Sequence, residues 1–422
     1  VTRDSASPAG APRLRRRLGV VDSVAIGLGS MIGAGIFAAL APAAAAAGGA
    51  LLAALAVAAV IAYCNATSTA RLAAIYPQSG GAYVYGRERL GPFYGYLAGW
   101  AFVVGKTASC AAMALTVGAY AWPGREQLVA VVTVLVITAV NCLGVQKSAL
   151  LTRGIVVAVL LVLATVVVAC LVGADEGVGA LVSAPERGVV GVLQAAGLLF
   201  FAFAGYARIA TLGEEVRDPR RTIARAVPIA LAVTLVVYAL VAVAVLSVLG
   251  PTGLAAATDP LAQAVRAAGY PGLEPVVRIA AVVAAAGALL TLVLGVSRTA
   301  LAMARDRHLP SLLGAVHPRF GVPYRAEIVV GTVVALLAAT ADLREVIGFS
   351  SFAVLVYYLI ANLSAWTLSS RPWPRTVALV GGLGCLLLAA FLPAAAVIGG
   401  CVVLGAGALV YRTRAALGAP GP

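Results

Sequence analysis

The chain has 422 residues, 62% hydrophobic and 11% charged, with a mean hydropathy of +1.01. Soluble domains carry about 25% charged residues, so this balance excludes an ordinary soluble enzyme or binding module. In a soluble chain the net charge of +14 would point to nucleic acid. Here the basic residues sit at the ends of apolar runs, where they orient helices in a bilayer, and no nucleic-acid partner is expected.

In chain order, the basic stretch Arg13-Leu14-Arg15-Arg16-Arg17 precedes an apolar run that continues into a full span. It reads as an anchor and not a cleaved leader, so residues 1–18 form a cytoplasmic basic tail. Twelve spans are predicted, at about 20–44, 50–74, 93–120, 127–146, 150–173, 190–214, 224–249, 275–303, 327–341, 345–368, 375–392 and 394–411. Several hold the roughly 20 apolar residues that a helix needs to cross a bilayer; the ninth is short. With the N-terminus inside, 23 of the 30 Lys and Arg fall in inside segments. Arg125, Arg187, Arg266, Arg278 and Arg344 fall outside, and Lys106 and Arg208 lie within spans. That bias fits an even number of spans with both ends cytoplasmic.

Span 1 carries Gly27, Gly29, Gly33 and Gly35. Each glycine costs a helix interior about 1 kcal/mol relative to alanine. In hydrocarbon, non-helical backbone is tolerated only where protein buries it or where it lines a cavity. A break here leaves bare N–H groups at the start of the second half, and with the helix dipole these form an anion site. Span 6 repeats the theme: Gly205 stands at its middle, followed by Tyr206, Ala207 and Arg208. Interruptions five spans apart, at equivalent places in two halves, point to an inverted-repeat carrier with its site at the midplane.

Two loops have character of their own. Asp259-Pro260 starts a helical piece within residues 251–273, placed outside and suited to a lid. Residues 304–326 hold both histidines, His308 and His317, which read as solvated surface. The first fourteen and last six residues read as disordered tails. The cysteines Cys64, Cys110, Cys142, Cys170, Cys385 and Cys401 lie within or at the edge of apolar runs without ligand spacing. They read as small core residues, and no metal or cofactor is expected.

The segments Gly33-Ala34-Gly35-Ile36-Phe37, Pro77-Gln78-Ser79-Gly80-Gly81-Ala82-Tyr83 and Phe200-Phe201-Ala202-Phe203-Ala204-Gly205-Tyr206 carry a resemblance. Glu214-Glu215-Val216-Arg217-Asp218-Pro219 and the loop from Ala304-Arg305-Asp306 to Leu309-Pro310 add to it. Together they resemble the amino acid–polyamine–organocation transporter superfamily, nearest its bacterial amino acid permeases. The likeness covers essentially the whole chain. It implies an all-α polytopic protein of the cytoplasmic membrane, with 12 transmembrane helices in the leucine-transporter-type fold. That fold is a 5+5 inverted repeat with broken helices 1 and 6, plus two extra helices. The first repeat would occupy 19–173, the second 174–370, and the extra helices with a short tail 371–422. The resemblance also implies that a substrate carboxylate meets N–H groups at Ala34, Gly35 and Ile36, past Gly33. The ammonium would meet carbonyls at Met31 or Ile32 and at Phe201, Ala202 and Ala204, with Phe203 and Tyr206 lining or gating beside Gly205.

The chain also departs from its relatives. Several cationic-amino-acid carriers place an acid after the span 6 Gly-aromatic pair, where Ala207 stands here, so the case for lysine or arginine is weakened. Arg208 lies beside a positive helix end, where a cation is disfavoured. It is open to three readings: an ion pair within the bundle, a gate or coupling element, or contact with an acidic substrate. Lys106, near the middle of span 3, is a candidate proton-binding or charge-compensating residue, because burial weakens a lysine's hold on its charge. The bland reading is that it snorkels or pairs statically. Glu214 and Glu215, with Arg217, Arg220 and Arg221 nearby, form either a static surface network or a cytoplasmic gate. Asp22 suits the positive start of span 1.

The leading expectation is therefore a secondary carrier of a neutral or otherwise unspecified α-amino acid. It would work by alternating access and be driven by protons or by exchange. No GxxxxGK[ST] motif is present, which argues against an ATP-driven pump. A non-transporting amino acid sensor on the same fold would be expected to add a long soluble extension. A membrane enzyme would need a nucleophile–base set or clustered ligands at one depth.

Overall fold

The computed structural model describes residues 18–33, 35–78, 80–144, 149–174, 188–210, 216–368 and 371–416. Among them the secondary structure is helical, and the one β-bridge joins Leu18 to Val216. The first span is assembled from α1 (Val20–Ile32), α2 (Gly35–Ala38) and α3 (Leu40–Ala47). The Gly19 N–H donates to Asp22 Oδ2 at 3.1 Å, so the acid foreseen at the positive end of α1 does hold that end, and Arg153 pairs with it. A tight turn at Gly48–Ala50, with Gly48 at φ 56°, leads into α4 (Leu51–Ile75).

α5 (Ala82–Leu90) is followed by α6 (Pro92–Ala121), α7 (Glu126–Cys142), α8 (Ala149–Val172), α9 (Gly188–Phe203) and α10 (Ala207–Ala210). Then come α11 (Pro219–Ala256), α12 (Pro260–Ala267), α13 (Glu274–Arg305), α14 (Tyr324–Thr340), α15 (Leu343–Trp366), α16 (Pro372–Phe391) and α17 (Ala394–Ala416). Gly250, at φ 64° before Pro251, kinks α11 and separates its last turn from the rest.

Among the described residues, ten helical segments are long and apolar enough to cross a membrane. They coincide with the expected spans except the fourth and ninth, where the 17-residue helices α7 and α14 stand. Small residues set the packing. Gly105 on α6 faces Ala353 on α15, and Gly33 faces Ala284 and Ala288 on α13, so the backbones approach closely. The apolar stretches of α6 and α15 are 83% and 78% buried, whereas that of α17 is 17% buried. The bundle is therefore centred on α6 and α15, and α17 is peripheral.

One loop expectation is corrected. His308 is buried, only 7% exposed, under the rings of Tyr83, Tyr96 and Tyr411; His317 is half-buried. The loop after α13 folds back onto α6, so sequence polarity misled. The tails fall outside the described residues.

Candidate substrate site between two interrupted helices

In the first span α1 ends at Ile32, Gly33 keeps a helical backbone (φ −53°, ψ −48°), Ala34 falls outside the described residues, and α2 begins at Gly35. In the sixth, α9 gives way at Ala204–Tyr206 to a tighter 3-10 turn before the short α10. The sixth segment thus tightens at its glycine and does not unwind fully. The two interruptions meet. A Cβ at Gly205 would lie 2.5 Å from the carbonyl C and O of Ser30; one at Gly35 would lie 2.6 Å from both the Ala202 Cβ and the Tyr238 hydroxyl. Only glycine allows these crossings. Tyr238 on α11 ties them together: its hydroxyl donates to the Met31 carbonyl at 2.6 Å and also lies 3.1 Å from the Ala202 carbonyl.

Beside this crossing is a cavity of about 500 Å³, within the size range of small-molecule sites. Met31 and Gly35 line it from the first segment, and Phe201, Ala202, Ala204 and Gly205 line it from the sixth. Lys106, Ser109 and Arg208 complete its polar wall. Lys106 is 7% exposed, and its Nζ donates to the Ala204 carbonyl at 3.3 Å; Tyr358 on α15 donates to the same oxygen at 3.3 Å. Arg208 is half-buried and extends over Gly295 of α13. A smaller cavity of about 190 Å³ adjoins, between α1, α8 and α13, and takes in Ile32, Gly33, Asn141, Arg208 and Arg298.

Other expected site residues lie elsewhere. Ile36 is buried, Phe203 packs on Tyr238 at 5.2 Å, and Tyr206 packs on Tyr358 at 5.1 Å; none lines either cavity. Ala34, Glu214 and Glu215 fall outside the described residues. Sequence reasoning missed Tyr238 and Tyr358, which come from stretches of α11 and α15 that no nearby glycine or proline marks. It also missed Glu327, which carried a usable signal: an acid at the start of a membrane run is a functional candidate by default.

The two ends of the large cavity differ. It extends past Tyr83, Arg305 and Gly321 at one end. Toward the other end, Phe37 meets Tyr120 edge-on at 5.6 Å, and the Tyr120 hydroxyl donates to the Phe37 carbonyl. The α12 helix closes over this pair, its Leu261 N–H directed at the same hydroxyl at 3.4 Å. Arg278 locks it by pairing with Asp259 and with Glu274 at 2.9 Å. The expected lid segment is thus a buried wedge, and Asp259 serves it through an ion pair. At the open end Tyr83 donates to Asp306, its oxygen lies 3.0 Å from His308 Nδ1, and Arg87 pairs with Asp306 at 3.3 Å. Burial pushes the His308 imidazole below its ordinary value; Asp306 opposes this, while Arg87 and Arg414 add to it. Burial, with the Asp306 carboxylate alongside, raises the Tyr83 phenol.

Residues 18–411 match the family model described as amino acid permease. The chain belongs to the amino acid permease family. The permease is 67% identical over 409 residues to an uncharacterized transporter of Mycobacterium tuberculosis, covering 95% of this chain and 92% of that one. It is 26% identical to the branched-chain amino acid permease BcaP of Bacillus subtilis, over 87% of this chain and 83% of that one. It is 28% identical to the chloroplastic cationic amino acid transporter 7 of Arabidopsis thaliana, over 86% of this chain and 68% of that one. The family and its ten apolar segments make the permease a multi-pass membrane transporter and not an enzyme.

Proposed function

We propose that this permease is a proton-coupled secondary transporter of the cytoplasmic membrane that takes up a neutral α-amino acid by alternating access. The reading has α7 and α14 completing twelve spans, both ends cytoplasmic, and residues 19–173 and 174–370 forming the two inverted repeats of a leucine-transporter-type fold. Residues 1–18 are the basic tail, and 371–422 carry the extra helices. The observation that carries it is the cavity where two interrupted helices cross, with backbone from both in its wall. A zwitterion suits such a wall, because helix starts favour the carboxylate and free carbonyls favour the ammonium.

Under this reading the carboxylate is held near Ala34, Gly35 and Ile36, and the ammonium near the carbonyls of Met31, Ala202 and Ala204. The open end, with Tyr83 and Arg305, is cytoplasmic, so the conformation is inward-facing. Lys106 is the coupling or charge-compensating residue, since it already holds the Ala204 carbonyl that the ammonium would use. Arg208 lies where the two cavities meet and takes the gate or coupling role; Glu214 and Glu215 take the cytoplasmic gate. A neutral substrate fits Ala207, where cationic carriers place an acid, and BcaP is named for branched-chain amino acids.

The test is reconstitution into liposomes with labelled leucine, arginine and glutamate, with and without an inward proton gradient. Leucine accumulation that collapses with the gradient supports the reading. Leucine movement only against internal leucine assigns exchange instead, and binding without movement assigns a sensor. No response to any amino acid refutes the proposal.

A further inference from the structure

Glu327 lies in the first turn of α14, where a helix's positive end favours an acid. That position does not account for its surroundings. The residue is 0% exposed. The Asn141 amide of α7 reaches its Oε2 at 3.5 Å, and its Oε1 accepts no hydrogen bond. From the packed helices, the titratable or charged groups that face it are Cys110 on α6, Cys142 on α7 and Arg298 on α13; Arg298 and the Ser297 hydroxyl, a further donor, favour the charged carboxylate, and burial opposes them. Among the described residues Glu327 forms no ion pair. A buried carboxylate with no ion-pair partner is costly, and a bound proton removes that cost.

Asn141 is the link to the transport machinery. Its amide also donates to the Leu290 carbonyl of α13 at 3.2 Å, and it lines the 190 Å³ cavity with Gly29, Ser30 and Gly33 of the first span. That space is large enough for water and is bounded by both α1 and α13. Any movement of α1 against α13 changes its access to solvent. Cys110 interacts electrostatically both with Glu327 and with Lys106, which lies one turn away on the same face of α6.

We propose that Glu327 is a proton-binding site of the transport cycle, reached through Asn141 from the side cavity beside the first interrupted helix. It loads and releases its proton as α1 shifts against α13. In loading, hydronium in the cavity loses an O–H bond and Glu327 gains one; release reverses this, with no change of oxidation state. The inference rests on the proton-coupled reading above.

The experiment uses the full chain in proteoliposomes with leucine as the probe, comparing wild type, Glu327→Gln and Glu327→Asp, together with infrared difference spectra of detergent-solubilised protein across pH. With one proton per leucine, a one-unit gradient supports about tenfold accumulation. Glu327→Gln is expected to lose that tenfold and keep leucine–leucine exchange, and Glu327→Asp to recover part of it. The wild-type spectrum should contain a protonated-carboxyl band that changes with pH and is missing from Glu327→Gln. Full gradient-driven accumulation by Glu327→Gln, or a band unchanged in that variant, overturns the proposal. So does loss of exchange in folded forms of both variants, which assigns Glu327 to packing. Should Glu327→Gln not fold, Glu327→Asp and the wild-type spectrum decide. Wild type that moves no amino acid yet keeps the pH-dependent band refutes the transport reading and leaves the proton site standing.

Discussion

The crossing of the two interrupted segments can be tested by adding one methyl group. At Gly205 a new Cβ would sit 2.5 Å from both the carbonyl carbon and oxygen of Ser30 and 2.7 Å from the Met31 nitrogen. Ordinary van der Waals contact begins near 3.4 Å, so the segments must separate by about 1 Å. All three obstructing atoms are backbone, which leaves no side-chain rotation to relieve the clash. Overpacking of this kind costs about 1–3 kcal/mol, equivalent to about five- to 150-fold in an equilibrium constant. The same separation pulls Ala202 from Gly35 and strains the Tyr238 hydroxyl, which touches both segments. Gly205→Ala should therefore lower thermal stability in detergent and weaken leucine binding by a factor in that range. Gly405→Ala on α17 is the control, because nothing lies within 4 Å of its added Cβ. It should gain up to about 1 kcal/mol from helix propensity and leave binding alone. Wild-type affinity and stability in Gly205→Ala would refute the close crossing as the determinant of the site.

Three further outcomes follow from neighbouring contacts. Tyr238→Phe removes one hydroxyl from two buried carbonyls, a loss of about 1–3 kcal/mol, and should raise the leucine KM in uptake assays while sparing the fold. Lys106→Met removes a buried ammonium from the Ala204 carbonyl, which keeps its Tyr358 donor; proton-driven accumulation should fall while detergent stability holds or rises, since one carbonyl returns only part of a buried cation's desolvation cost. Full accumulation in that variant would end the coupling role. Burial lowers the His308 pKa in the folded chain, so the unfolded chain takes up the proton first as pH falls. The stability contributed is complete above about pH 6.5, the ordinary histidine value, and is lost as pH drops through the lower folded value. Thermal midpoints measured across that window should decline for wild type and flatten in His308→Gln.

What was legible in the sequence was the part governed by local rules. Apolar run length located the ten long segments, and the glycines of span 1 and Gly205 at the middle of span 6 marked where α1 ends and where the 3-10 turn lies, because helix propensity and hydrocarbon each act residue by residue. The short helices α7 and α14 were harder to place, since 17 residues sit at the lower edge of what spans a bilayer. Side-chain partners were less legible. Nothing near Tyr238 in the chain announces that its hydroxyl bridges Met31 and Ala202, a contact across 207 and 36 positions of sequence. His308 was misread because polarity in a loop predicts solvent only when nothing folds back onto it, and Tyr83, Tyr96 and Tyr411 come from three separate helices. Phe203 and Tyr206 were expected at the pocket from the family resemblance; Phe203, at the end of α9, packs on Tyr238, and Tyr206, in the 3-10 turn, packs on Tyr358.

Lys106 and the turn at Ala204–Tyr206 account for one another. An ammonium without acceptors is expensive in a membrane interior, and a helix that tightens into 3-10 geometry presents its carbonyls less regularly to its own amides. Bringing the two together at 3.3 Å offsets both costs, and Tyr358 supplies a second donor to the same oxygen. The arrangement also sets a condition on any ligand. A primary ammonium that approaches the Ala204 carbonyl meets one already there, so its entry requires Lys106 to withdraw or to lose its proton. Repulsion between the two cations is strong at this depth because the surrounding dielectric is low. For a ligand whose ammonium uses that carbonyl, as proposed above, occupancy of the cavity and the charge on Lys106 are therefore linked by geometry.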